Sequence, residues 1–157
     1  MEVILNIGIV IGTFCFMEAV TWFTHKYVMH GFLWMLHRDH HVPEQHFFER
    51  NDAFFFIFAI PSFLLFLFGS INSYDYRFWL GLGILCYGIA YFLVHDIFIH
   101  QRFKWLRRSK NIYFMALRKA HKVHHKHLEK EEGECFGMLF VPLKYFIEAK
   151  RSKRSMS

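Results

Sequence analysis

Apolar residues gather in three long runs, separated by polar stretches rich in histidine. The first run extends from Val3 to Phe23, broken only by Asn6 and Glu18. The second, Ala53 to Ile71, carries no charge; the third, Phe78 to Val94, is likewise uncharged and continues past His95 and Asp96 to Ile99. Each approaches the roughly 20 residues a helix needs to cross ~30 Å of hydrocarbon. One such run would also suit a buried core helix, but three in a chain of 157 residues exceed what one soluble core can enclose. The pattern predicts an all-α integral membrane protein, a single domain over 1–157 with transmembrane helices at about 3–23, 53–71 and 78–99.

Between the runs, local signals mark the ends. The first helix is expected to continue past the membrane surface through His25 to about His30, where Gly31 ends it. Phe32 to Leu36, with Trp34, suits the interface, and Pro43 breaks the helix that follows. Asn51-Asp52 reads as an N-cap for the second span, since a side-chain oxygen there satisfies a free backbone N–H. Asn72, Ser73 and Asp75 form a tight turn, so spans two and three make an antiparallel hairpin. Ile112 to Lys126 reads as a helix outside the membrane, followed by an acidic loop at 129–134. The apolar stretch 136–147 is short and contains Pro142, so it is expected to be interfacial or re-entrant rather than a fourth span.

Composition agrees. The chain is 54% hydrophobic with 21 phenylalanines, and its mean hydropathy is +0.18. That is too apolar for an ordinary soluble domain and too charged for a bundle lying wholly in lipid. The first run lacks the basic start and small-residue cleavage site of a signal peptide, and is read as part of the mature protein. Of 19 Lys and Arg, only Arg77 lies between spans two and three, and none precedes span one. The excess of basic residues elsewhere predicts an N-terminus outside and a C-terminus in the cytoplasm, as in a bacterial inner membrane. The basic tail Lys150-Arg151-Ser152-Lys153-Arg154 then meets anionic headgroups rather than nucleic acid. Cys15, Cys86 and Cys135 show no disulfide or zinc-site spacing.

The chemistry lies in the histidines. Ten of the twelve form two copies of one pattern, a pair five apart followed by a triplet. The first copy is His25 and His30, then His37, His40 and His41. The second is His95 and His100, then His121, His124 and His125. All ten fall on the predicted cytoplasmic side. Residues at i, i+3 and i+4 share one helix face, so each triplet converges on one metal or splits between two. Residues at i and i+5 sit roughly 140° apart on an ideal α-helix. Those pairs share a centre only if the helix bulges or ends between them; otherwise each serves two metals, or one member supports a ligand from behind. A single site takes about four to six ligands, so ten imidazoles match a dinuclear centre. Zinc is chemically possible, while iron suits oxidation of a lipid-borne hydrocarbon. Glu18, Asp39 and Asp96 are the acids placed to orient histidines. Protons compete with metal for imidazoles of ordinary pKa about 6.5, so occupancy is expected to weaken below that pH. His46 and His127 fall outside the repeats, and their roles stay open.

These residues resemble the histidine-motif membrane di-iron oxygenases of the fatty acid hydroxylase superfamily, and within it the bacterial β-carotene hydroxylases. The resemblance rests on HKYVMHG at 25–31, HRDHH at 37–41, FERND at 48–52, YFLVHDIFIHQRF at 91–103, AHKVHH at 120–125 and EGECFGMLFVP at 132–142. It covers nearly the whole chain. It implies O2-dependent hydroxylation at C3 of each β-ionone ring of β-carotene, through β-cryptoxanthin to zeaxanthin, with two ferrous ions held by the ten histidines. Electrons are implied to come from a ferredoxin or similar carrier. The chain has no dinucleotide fingerprint and no flavin or iron–sulfur motif, which also points to an external donor. The basic face suits an acidic carrier, and the carotenoid arrives dissolved in the membrane.

Three other readings compete. A fatty acid or sterol hydroxylase or desaturase would use the same centre. A bis-histidine b-type haem electron carrier needs only two facing histidines and leaves the triplets unexplained. A metal transporter would place histidines within the spans on both sides.

Overall fold

The computed structural model describes residues 1–42, 48–103, 109–128, 131 and 133–155. Pro43, His46, the basic residues Lys104, Arg107 and Arg108, and part of the acidic loop lie outside the described residues. Within them the chain is helical: α1 (Glu2–Phe23), α2 (Trp34–His41), α3 (Ala53–Ile71), α4 (Tyr76–Tyr91), α5 (Ile112–His124) and α6 (Leu143–Arg154). Two π-helical stretches, Thr24–Phe32 and Phe92–Ile99, continue α1 and α4 directly. A short 3-10 turn, Arg50–Asp52, leads into α3.

Three helical stretches are long and apolar enough to cross a membrane: Glu2–Phe32, Arg50–Ile71 and Tyr76–Ile99. They contain the three predicted runs, and their side chains are mostly turned outward. Ile7, Ile11, Phe16, Phe55, Phe63, Phe68 and Ile89 are all exposed. Water would penalise so much bare apolar surface, whereas lipid tails accept it. This is an all-α membrane protein.

The described residues fall into two compact units. The first comprises Met1–Val20 and Met35–Ala90. In lipid there is no hydrophobic force between helices, so close packing and hydrogen bonds join them, and small residues let backbones approach. Gly83 of α4 lies so near α1 that an added Cβ would sit 2.6 Å from the Thr13 Cβ and 2.9 Å from the Val10 carbonyl oxygen. Gly81 meets α3, where the Ser62 hydroxyl donates to the Gly81 carbonyl at 2.9 Å. Tyr87, only 2% exposed, donates its hydroxyl to Glu18 at 2.6 Å and meets Phe14 edge-on. The carboxyl inside span one thus has a partner on α4. At the hairpin, Ser73 and Tyr74 both take positive φ, and the Tyr74 N–H returns to the Gly69 carbonyl.

The predicted N-cap is corrected here. Asp52 is already helical at φ −63°, and its side chain accepts from the Glu49 N–H at 3.1 Å. Asn51 caps nothing, because its side-chain oxygen is committed to His37 at 2.7 Å.

The second unit comprises Thr21–Trp34 and 91–155. Its core lies between α5 and α6, where Ala116, Leu117 and Ala120 meet Val141, Tyr145 and Ala149. The side chain of Asn111 caps α5 by accepting from the Tyr113 N–H at 2.9 Å. The apolar stretch 136–147 is not one element: 136–142 is irregular, and α6 starts only after Pro142. Tyr145 and Ala149 face the core, while Phe140, Leu143 and Ile147 are exposed. Gly31 leaves helical geometry at φ −113°, ψ −123°, and α2 begins three residues later, as its sequence position predicts.

Candidate metal centre

Both five-residue pairs fall on π-helical stretches, His25 and His30 inside the first, His95 inside the second and His100 as its C-cap. In that geometry the N–H of one residue bonds the carbonyl five positions earlier, so i and i+5 stack on one face. The His100 N–H bonds the His95 carbonyl at 2.9 Å, and the Leu33 N–H bonds that of Val28 at 3.0 Å. As a result the His95 and His100 rings lie 4.5 Å apart and the His25 and His30 rings 5.2 Å apart. Of the arrangements the spacing allowed, the bulge is the one adopted, in both copies.

Within the second unit, imidazoles from the two copies gather in two adjoining groups. One consists of His25, His30 and His124, whose ligand nitrogens lie within 4.8 Å of one another and which are all buried. The other consists of His95, His100 and His121, equally close, with the His125 ring 4.5 Å from His121. The triplet on α5 therefore splits, His124 serving one group and His121 and His125 the other.

The first group is held from behind by backbone. Nδ1 of His25 donates to the Phe136 carbonyl at 2.9 Å, Nδ1 of His30 to Leu128 at 2.9 Å, and Nδ1 of His124 to Glu134 at 3.1 Å. A carbonyl oxygen can only accept, so the proton is assigned to Nδ1 on each ring and Nε2 keeps its lone pair. Yet Nε2 of His30 and Nε2 of His124 approach to 3.2 Å. With both rings neutral, two lone pairs face each other at that distance, an arrangement a cation between them stabilises. Phe136, packed edge-on against all three rings, closes the group from below.

In the second group, Nε2 of His121 lies 2.8 Å from Nε2 of His100 and 2.8 Å from Nε2 of His125. One ring nitrogen has a single proton or a single lone pair for two neighbours, and again a shared cation fits. The same contacts leave no slot for a flat macrocycle between facing rings, which removes the haem reading. Asp96 stands beside this group, 3.5 Å from Nδ1 of His95 and 3.4 Å from Arg102.

In the first unit, His37, His40 and His41 cluster at the end of α2. Nε2 of His37 and Nε2 of His41 are 3.1 Å apart, and the His40 ring stacks on His37 at 5.2 Å. Asn51 accepts from Nδ1 of His37, and Glu49 accepts from Nδ1 of His40 at 2.9 Å. Asp39, buried among them, accepts the Arg50 N–H and ties the triplet to the turn that starts α3. Asn51 and Glu49 orient the His37 and His40 rings in a way the spacing argument did not anticipate; their sequence signal was the FERND stretch. Replacing Asn51 with leucine is expected to lower metal affinity about 10- to 100-fold, the usual loss when a ring's rear hydrogen bond goes, as read by titrating the metal-free protein.

Burial keeps His121 and His125 neutral. Desolvation, reinforced by His95, His100, His125 and His124, pushes His121 well below its ordinary value. Desolvation, with His95 and His30 adding to it, lowers His125 to about 4. Such a group binds protons in the unfolded chain from about pH 6.5 downward, but in the fold only near 4. The stability it contributes is whole above about 6.5 and is lost as pH falls from there towards 4. The melting temperature of the metal-free protein is accordingly expected to be level above pH 7 and to drop across that window, which calorimetry would follow.

The fatty acid hydroxylase family model matches residues 10–147. The chain belongs to that family. This hydroxylase is 39% identical over 139 residues to the beta-carotene hydroxylase of Pantoea ananas, covering 88% of its own length and 79% of that protein. It is 38% identical to the beta-carotene hydroxylase of Pseudescherichia vulneris, with 88% and 78% covered. With beta-carotene hydroxylase 1, chloroplastic, of Capsicum annuum it shares 33% over 90% of its own length and 45% of that protein. No solved structure matches it with significance. Membership and the paired histidine groups together make this an enzyme of the non-haem dinuclear hydroxylase type, acting on a lipophilic substrate.

Proposed function

We propose that the protein hydroxylates the β-ionone rings of β-carotene at C3, through β-cryptoxanthin to zeaxanthin. The ten repeat histidines, His25, His30, His37, His40, His41, His95, His100, His121, His124 and His125, are the proposed ligands of two iron ions. Bound there, the irons supply the oxidising power that puts one atom of O2 into an unactivated C–H bond. The other oxygen atom leaves as water, so each hydroxylation takes two electrons and two protons from outside. With no redox motif of its own, the protein would draw those electrons from a ferredoxin or similar carrier docking on a basic cytoplasmic face. The excess of Lys and Arg away from the Arg77 turn supports an N-terminus outside the inner membrane and a cytoplasmic C-terminus.

What carries the reading is the convergence of Nε2 atoms at 2.8 to 3.2 Å in a protein whose helices present apolar flanks. Nitrogen donors alone suit iron better than the hard ions magnesium or calcium. The chain's own residues do the positioning: Nδ1–H bonds fix the rings of His25, His30, His124, His37 and His40, and Phe136 packs over the first three to keep water away. The carotenoid assignment draws on the names of the relatives, which cover most of the chain. Expression in a host that accumulates β-carotene, with pigment chromatography and metal analysis of the purified protein, tests both parts. Unchanged pigment in cells whose protein carries two irons would point instead to a fatty acid or sterol, a reading the family-wide match favours.

A further inference from the structure

Glu134 stands between two ring tethers and the last helix. Its carbonyl accepts from Nδ1 of His124 at 3.1 Å, and two residues on the Phe136 carbonyl accepts from Nδ1 of His25 at 2.9 Å. In extended backbone, carbonyls two apart point the same way, but serving two rings on different helices needs a local bend. Cys135 supplies it with φ 61°, a left-handed conformation a side chain adopts only when its surroundings enforce it. The enforcing contacts come from α6. The Glu134 carboxylate accepts from the Tyr145 hydroxyl at 2.7 Å and pairs with Lys144. Tyr145 is itself 2% exposed, fixed in the α5–α6 core.

We infer that Glu134 and Tyr145 are positioning residues for the metal group of His25, His30 and His124, the pair by which α6 holds the 134–136 carbonyls against two of its rings. The inference rests on reading the histidine cluster as a metal centre. It makes the two metal groups unequal in their dependence on α6, since none of the tethers described for His95, His100, His121 and His125 runs through Glu134. The Glu134 carboxylate is held below its usual range by Lys144 and Tyr145, consistent with a closed ion pair.

The test is cobalt(II) titration of the full-length, metal-free protein in detergent, with calorimetry resolving the two binding steps. Tyr145→Phe removes one oxygen and leaves the ring in the core; Glu134→Ala removes the acceptor; Glu134→Gln keeps an oxygen for Tyr145. In Tyr145→Phe and Glu134→Ala one cobalt is expected to bind at least about tenfold more weakly, the low end of the loss for a disturbed ligand support. The other keeps its wild-type affinity, helix content by circular dichroism stays constant, and Glu134→Gln restores most of the loss. Equal weakening of both steps, or wild-type affinity in both variants, would overturn the inference. Wild-type protein that takes up no cobalt would instead defeat the metal reading beneath it.

Discussion

Replacing His121 with alanine is expected to abolish pigment conversion, with turnover falling at least about 100-fold, because even a residue behind a ligand costs 10- to 100-fold when lost. His121 is the hub of its group: its Nε2 lies 2.8 Å from both His100 and His125. Its removal leaves His95, His100 and His125 without the nitrogen that lies between His100 and His125, and an ion held there would lose a donor and its geometry. Metal analysis should show about half the wild-type content, since His25, His30 and His124 keep their own carbonyl tethers. A variant that retained full metal and full conversion would remove His121 from the centre.

The second large effect is expected in the membrane. An alanine at Gly69 would put its Cβ 2.3 Å from the Phe78 backbone nitrogen and 2.7 Å from its Cα. Backbone cannot swing aside as a side-chain end does, so the α3–α4 hairpin must open. A cost of about 1 to 3 kcal/mol is expected, as for other overpacked sites, and a matching fall in thermal stability in detergent. Gly88→Ala is the control. Nothing lies within 4 Å of its added Cβ, and better helix propensity makes it neutral or stabilising by up to about 1 kcal/mol. Equal behaviour of the two variants would mean that the hairpin is not packed as closely as described.

Much of this was legible in the chain. Hydropathy located the spans because lipid imposes a length and forbids unpaired backbone. Histidine spacing located the imidazoles that cluster because helical geometry converts sequence intervals into faces. The five-residue interval held more than could be read from it, since a bulge and two separate metals predict the same string. Only the His100 to His95 hydrogen bond distinguishes them. What stayed hidden was support from backbone. Carbonyls of Leu128, Glu134 and Phe136 hold three rings, and a carbonyl is common to every residue type. Asn51 was visible but misread, because the same amide that caps helices also accepts from an imidazole. In the apolar stretch around Pro142, Val141 and Tyr145 pack into the α5 core, a role that hydropathy alone does not distinguish from an interfacial one.

One rigid rod supplies donors to both imidazole groups, since His121, His124 and His125 all stand on or directly after α5. Three residues of such a rod advance about 4.5 Å along its axis. The spacing between the donors that α5 gives to the two groups is thereby ruled by peptide geometry rather than by bilayer thickness or loop length. Any twist of that rod displaces His121, His124 and His125 together, so the donors it lends to one group cannot turn while those it lends to the other stand still.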